Sequence, residues 1–196
     1  MINPRQTVPS SKLDLSRVDK TWTLFLDRDG VINHEKTDYV YNYNEFVFYE
    51  GVLDAFKKFR FLFGHIIVIT NQRGVGRELM TEADLQLIHQ SMQTDISGAG
   101  GKLDAIYYCT SIDNAHPNRK PNPGMAIQAF KDHEGINPDR TIMVGNNLSD
   151  MEFGKNAAIY TVLLTTTGTK VRLPHPLVDA QFDTLYDFAL ALPDLR

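Results

Sequence analysis

Cysteine is nearly absent: Cys109 stands alone in 196 residues. A single thiol closes no internal disulfide, and it cannot by itself build a cysteine-rich zinc site. That scarcity fits a reducing, cytoplasmic setting. Long apolar runs are also missing. No stretch approaches the ~18 residues of a membrane span, and the opening segment MINPRQTVPSSKLDLSRVDK holds no apolar core of the secretory kind. Positive charge is in deficit, with 20 Lys and Arg against 24 Asp and Glu and a net charge of −4. A surface built to neutralise nucleic-acid phosphates is disfavoured on that balance. Nucleic acid and membrane are therefore not expected as partners, and the chain is expected to be a monomer or a weak homodimer. What remains is 42% hydrophobic and 22% charged, the balance of a globular domain. Its length suits one domain that folds without a metal or disulfide brace.

Five short apolar runs recur: Trp22–Leu26, Ile66–Ile69, Ala105–Tyr108, Thr141–Val144 and Ile159–Leu164. Each is apolar at consecutive positions, as strands covered on both faces of a parallel sheet are. Helical patterns lie between them. Val52, Leu53, Phe56, Phe59 and Phe63 share a face, with Gly64 as a stop. Thr81 to Asp84 reads as a variant capping box before Leu85, Ile88, Met92 and Ile96. Pro123 opens a third helix that ends near Gly135. A fourth runs near Ser149–Ala157, and a last one is expected near Asp183–Leu192. Strand alternating with helix predicts an α/β fold, a three-layer Rossmann-like open parallel sheet with helices on both faces. Residues 1–20 are expected to form an N-terminal arm and 21–196 a single domain.

Ligands of open α/β sheets bind beyond the carboxyl ends of the strands, so the residues after each run carry the chemistry. Asp27 and Asp29 follow the first run. Two carboxylates at a turning strand end repel each other, and a hard cation such as Mg²⁺ would join them. A solvated acidic turn accounts for the pair equally well. Gly30 beside them lets backbone approach a ligand closely. Thr70 and Asn71 follow the second run and could hold phosphate oxygens, although both residues also favour plain turns. Gly74 and Gly76, set around Arg73 and Arg77, suggest a flexible basic loop, with guanidinium suited to phosphate. Lys120, between Arg119 and Pro121 and just before a helix, is a candidate phosphate anchor. Gly145, Asn146, Asn147 and Asp150 follow the fourth run.

Taken together, Asp27-Arg-Asp29-Gly-Val-Ile-Asn33, Thr70-Asn71-Gln72, Arg119-Lys120-Pro121 with Pro123-Gly-Met125, and Gly145-x-x-x-x-Asp150 resemble the haloacid dehalogenase superfamily. Within it the chain is similar to the heptose bisphosphate and histidinol-phosphate phosphatases, over residues 22 to 170. The resemblance implies roles. Asp27 is the nucleophile that forms an aspartyl-phosphate, and Asp29 is the general acid and then base. Thr70 and Lys120 hold the transferring phosphoryl group. Mg²⁺ is bound by Asp27, by the backbone carbonyl of Asp29, and by Asn146 and Asp150. Asn71, Arg73, Arg77, Arg119 and Asn147 face the rest of the substrate, a small phosphorylated metabolite. The short segment between the first two motifs implies that there is no large cap domain.

Two departures stand out. The fourth motif usually places aspartate after its glycine, and here Asn146 offers a neutral amide oxygen instead. The heptose enzymes carry a zinc loop with three cysteines and a histidine before the Arg-Lys-Pro motif. Here only Cys109 and His116 remain, too few for structural zinc, so no structural zinc is expected. The expected function is a Mg²⁺-dependent phosphatase of a sugar phosphate or bisphosphate. Histidinol phosphate is the alternative substrate. A non-catalytic phosphate-binding protein on the same fold is the alternative of another class. His34, His65, His89, His133 and His175 are expected to be surface or packing residues.

Overall fold

The consecutive apolar runs become strands with both faces covered. The computed structural model describes residues 12–194. Its strands are β1 (Thr23–Leu26), β2 (His65–Asn71), β3 (Ala105–Cys109), β4 (Thr141–Gly145), β5 (Tyr160–Leu164) and β6 (Ala180–Phe182). They form one parallel sheet in the order β3-β2-β1-β4-β5-β6. Six α-helices accompany it among the described residues: α1 (Val52–Leu62), α2 (Arg73–Gly76), α3 (Glu82–Gly98), α4 (Gly124–Asp132), α5 (Leu148–Asn156) and α6 (Leu185–Ala191).

The alternation of side chains along each strand divides the core in two. Leu24, Leu26, Ile66, Val68, Ile142 and Val144 point to the face covered by α1, α3 and α6. Phe25, Ile67, Ile69 and Met143 point to the other, under α4 and α5. This is the expected three-layer open sheet. Between β1 and α1 the chain forms bends and a single 3₁₀ turn at Tyr43–Glu45, so no cap domain is inserted there. Among the described residues, no helix is long and apolar enough to cross a membrane.

Capping chemistry sets the helix starts. Thr81 and Asp84 exchange hydrogen bonds at the start of α3, as the sequence predicts, and Thr184 and Asp187 do the same for α6. Two features differ from expectation. The sixth strand was not anticipated, because its three residues are half-buried and make no apolar run. The segment around Arg73, where Gly74 and Gly76 suggest a flexible basic loop, is a helical turn. Its glycines serve close packing: a Cβ on Gly76 would fall 2.0 Å from the Thr110 carbonyl oxygen. Residues 1–11 of the expected arm lie outside the described residues. Within 12–20, Leu15–Arg17 form a 3₁₀ turn and Val18 is buried in the core.

Phe59 of α1 is fully buried and meets Phe56, Phe63 and Phe188. Phe59→Ala leaves a cavity between α1 and α6 and is expected to cost about 3–5 kcal/mol of unfolding free energy. Urea denaturation followed by circular dichroism measures it. A loss below about 1 kcal/mol would show that α1 and α6 close over the gap.

Candidate active site

In this strand order the direction of winding reverses at β1, which lies between β2 and β4. Open α/β sheets bind their ligands at that switch point. Asp27 continues β1 and donates its N–H to the Val144 carbonyl at 3.0 Å. A cleft of about 250 Å³ opens there. Asp27, Asp29, Thr70, Asn71, Arg119, Lys120, Asn147 and Asp150 all line it. The structure thus brings together, at one sheet edge, motifs spread over 124 positions of sequence, from Asp27 to Asp150 counted inclusively.

At the centre is Lys120, buried with its Nζ 2.9 Å from Asp27 Oδ1 and 2.7 Å from Asp150 Oδ1. The Arg28 N–H donates to the same Asp27 oxygen at 2.7 Å. Oδ1 is thereby fixed, and Oδ2 is left as the oxygen available for a new bond. Burial pushes Asp27 up to about 7, and Asp150 adds to the effect while Lys120 opposes it. Burial works against the Lys120 ammonium, but Asp150 and Asp27 outweigh it and hold its pKa above the ordinary value. Asn71 places the lysine. Its Nδ2 donates to the Lys120 carbonyl at 3.1 Å and its Oδ1 accepts the Lys120 N–H at 3.0 Å. The Asn71 amide is therefore committed to backbone, although the residue lines the cleft.

Asp29 has the opposite environment. Burial would raise its pKa, but the Arg28 guanidinium, with Asn33 and Gln72, holds the carboxyl below its usual range. Arg28 grips it with Nη2 at 2.9 Å and 2.8 Å from its two oxygens. Asn33 and Gln72 each donate to it at 2.9 Å. Gln72 also donates to Thr70 Oγ1 at 3.0 Å, which leaves the Thr70 hydroxyl proton free to be given elsewhere. Arg28 is itself fully buried and lies 3.2 Å from His89 Nε2. The guanidinium only donates, so Nε2 accepts and the imidazole proton sits on Nδ1. Sequence reasoning assigned no role to Arg28, Asn33, Gln72 or His89. For Arg28 and Asn33 the available signal was their place in the motif with Asp27 and Asp29, and for Gln72 its place directly after Thr70 and Asn71. His89 gave none.

Asn146 is buried beside Gly30. A Cβ on Gly30 would fall 2.1 Å from Asn146 Nδ2, and Gly30 has a φ of +79°, so glycine is required there twice over. Asn146 Nδ2 donates to Glu35 Oε2 at 3.2 Å and to Thr167 Oγ1 at 3.0 Å. Its Oδ1 is buried with no hydrogen-bond partner, as a ligand oxygen awaiting a cation would be. Among the described residues no three His, Cys, Asp or Glu side chains form a metal-holding group. A cation here has to draw on the Asn146 amide and a backbone carbonyl besides Asp27 and Asp150. Such an all-oxygen set, with net negative charge, fits Mg²⁺. Glu35 is a further cleft residue that sequence reasoning missed.

Arg119, which lines the cleft, shares a partner with Arg73. Arg73 donates to Asn114 Oδ1, and Arg119 reaches the same oxygen at 3.4 Å and the Ser111 carbonyl at 3.1 Å. Burial, and after it the like charge of Arg73, lowers the pKa of Arg119, with Arg77 contributing. Arg73 and Arg77 are not among the residues lining the cleft itself. Cys109 Sγ lies 3.6 Å from His116 Nδ1.

Comparison with known proteins identifies relatives of the chain. A family model described as "HAD-hyrolase-like" matches residues 117–187. The chain is 35% identical over 182 residues to a D-glycero-alpha-D-manno-heptose-1,7-bisphosphate 7-phosphatase of Mycobacterium tuberculosis, covering 92% of this chain and 96% of that protein. It is 34% identical over 160 residues to the D-glycero-beta-D-manno counterpart of Escherichia coli K12, covering 76% and 81%. Among solved structures, a D,D-heptose 1,7-bisphosphate phosphatase from B. bronchiseptica, complexed with magnesium and phosphate, superposes with a TM-score of 0.76 at 25% identity. That match covers 86% of this chain and 96% of the other. The enzyme of the same name from Burkholderia thailandensis gives 0.63 at 28% identity, covering 86% and 96%.

Burial, and after it the Arg28 charge, brings His89 down to about 3, against 6.5 for a free imidazole. Between those values the unfolded chain binds a proton that the folded chain refuses, so stability falls as pH falls through the window. His89→Gln keeps an acceptor for Arg28 and has no such proton. Its urea midpoint is expected to fall less steeply than the parent's from about pH 7 to about pH 5. Parallel slopes would show that His89 titrates freely in the folded state.

Proposed function

This chain belongs to the haloacid dehalogenase-like hydrolases, and on that premise we propose that it is a Mg²⁺-dependent phosphatase of a small phosphorylated sugar, a bisphosphate of the heptose type. One observation carries the reading: a buried lysine bridges Asp27 and Asp150 at the switch point, with a second, differently tuned aspartate two residues on. Relatives carrying both anomer names match the chain, so the proposal names the sugar bisphosphate and not the anomer.

Asp27 Oδ2 attacks phosphorus, an Asp27–O–P bond forms, and the bond from phosphorus to the sugar oxygen breaks. Asp29 gives the departing oxygen its proton. A phosphoryl dianion beside Asp29 raises its pKa against the pull of Arg28, which readies it for this step. In the second step Asp29 takes a proton from water, whose oxygen attacks phosphorus and releases inorganic phosphate from Asp27. The products are the sugar hydroxyl and phosphate. The Thr70 hydroxyl and Lys120 hold the phosphoryl oxygens throughout. Asp27, Asp150, Asn146 Oδ1 and the Asp29 carbonyl would hold Mg²⁺, which would supply charge neutralisation at those oxygens when bound. Arg119 and Arg73 gather positive charge at the rim, where a second phosphate of the substrate is accepted, with Asn147 and Arg77 nearby.

Phosphate release from a panel of sugar mono- and bisphosphates, with and without Mg²⁺, tests the reading. Asp27→Asn is expected to lower turnover by at least about a thousandfold. Binding of a phosphoryl analogue with no turnover of any substrate would favour the phosphate-binding alternative that Asn146 raises. Arg73→Ala is expected to raise KM about tenfold for a bisphosphate and leave KM for a monophosphate unchanged, as loss of one charge-assisted contact does. Equal effects on both substrates would remove Arg73 from the second phosphate.

A further inference from the structure

A planar amide differs from a carboxylate in having two chemically opposite ends. A carboxylate at position 146 would present an acceptor whichever way it turned. Asn146 serves as a ligand in only one of its two orientations. Nδ2 donates to Glu35 Oε2 at 3.2 Å and to Thr167 Oγ1 at 3.0 Å, so both amide hydrogens are engaged. An ionised carboxylate accepts only, so Glu35 admits Nδ2 and rejects Oδ1. The residue is 0% exposed and Oδ1 has no partner. A buried carbonyl oxygen left without a partner costs free energy until something binds it. Glu35 lies on the loop after β1 and Thr167 on the loop after β5, so both neighbours are supplied by the fold and not by the motif.

We infer that Glu35 and Thr167 are positioning residues that lock the Asn146 amide with its oxygen presented to the divalent-cation site. A neutral amide thereby takes a place where a carboxylate is usual. The inference rests on the Mg²⁺ reading given above. Glu35 selects the end of the amide that faces it and also adds negative charge near the cation. The Thr167 hydroxyl, which accepts here but can also donate, fixes the plane of the amide and adds no charge, so the threonine separates placement of the ligand from charge.

The test is calorimetric titration of Mg²⁺ into the metal-stripped full chain. Thr167→Val is expected to weaken Mg²⁺ binding about tenfold, the scale of outer-sphere effects on metal affinity. Thr167→Ser restores it, and Glu35→Ala weakens it by at least as much as Thr167→Val. In an Asn146→Asp background the ligand needs no orientation, and Thr167→Val changes affinity by less than about twofold. The melting temperature without metal falls by a few degrees in Thr167→Val, because a buried amide hydrogen loses its acceptor, and stays unchanged in Thr167→Ser. Unchanged Mg²⁺ affinity in Thr167→Val, or the same loss in both backgrounds, overturns the inference and leaves the Mg²⁺ reading standing. An unsubstituted chain that binds no Mg²⁺ overturns the Mg²⁺ reading itself, and the inference with it.

Discussion

The site is organised around the Lys120 ammonium between Asp27 and Asp150. An isolated buried charge is expensive, and removing one partner of a buried pair is worse than never having it. The three groups therefore fix one another, and each arrives from a different strand end: Asp27 after β1, Lys120 before α4 and Asp150 in the first turn of α5. The sheet order that sets β1 between β2 and β4 is what brings them together. Gly145 is needed for the same reason. A Cβ there would fall 2.3 Å from the Asp150 Cβ, so any side chain would push the carboxylate off the lysine. Asp150 in turn accepts the Asn147 N–H at 3.1 Å, which ties the ligand loop to the helix that follows it.

Two carboxylates two residues apart are tuned in opposite directions, which is how one small site separates nucleophile from acid and base. Burial dominates at Asp27 and raises it, whereas at Asp29 the Arg28 guanidinium outweighs burial and lowers it. The neutral His89 behind Arg28 accepts from the guanidinium without adding a competing charge. The guanidinium is directed at Asp29, its one carboxylate partner among the described residues. A charged imidazole in that place would repel Arg28 and loosen its hold on Asp29.

Much of this was legible in the sequence, and the reason is physical. Parallel strands covered on both faces read as unbroken apolar runs, so β1 to β5 and the residues at their ends could be located. The Thr81–Asp84 cap is a local hydrogen-bond exchange, legible for the same reason. What was not legible depends on contacts between distant segments. The hydrogen bond from Asn146 to Glu35 joins residues 111 positions apart, and the one from Arg28 to His89 spans 61. The turn at Arg73–Gly76 depends on where the Thr110 carbonyl lies, which no local pattern reports. β6 is too short and too exposed to carry a pattern of its own.

The lone Cys109 returns here as a question of rigidity. The loop from β3 to α4 carries Arg119 and Lys120, and Lys120 holds its place only if that loop is stiff. The family resemblance associates such loops with zinc. Here the bracing is visible as hydrogen bonds. Asn122 Nδ2 donates to the Asn114 and His116 carbonyls at 3.1 Å and 3.0 Å, Asn118 N–H donates to His116 Nδ1 at 3.2 Å, and Gly124 N–H donates to the Pro117 carbonyl at 2.9 Å. Each bond contributes about 1 kcal/mol net, far less than a metal ligand, but together they close the turns one after another. Asn71 then clamps the end of the loop to β2 at the Lys120 backbone. In this chain, the position of the central ammonium depends on the asparagines that hold its loop.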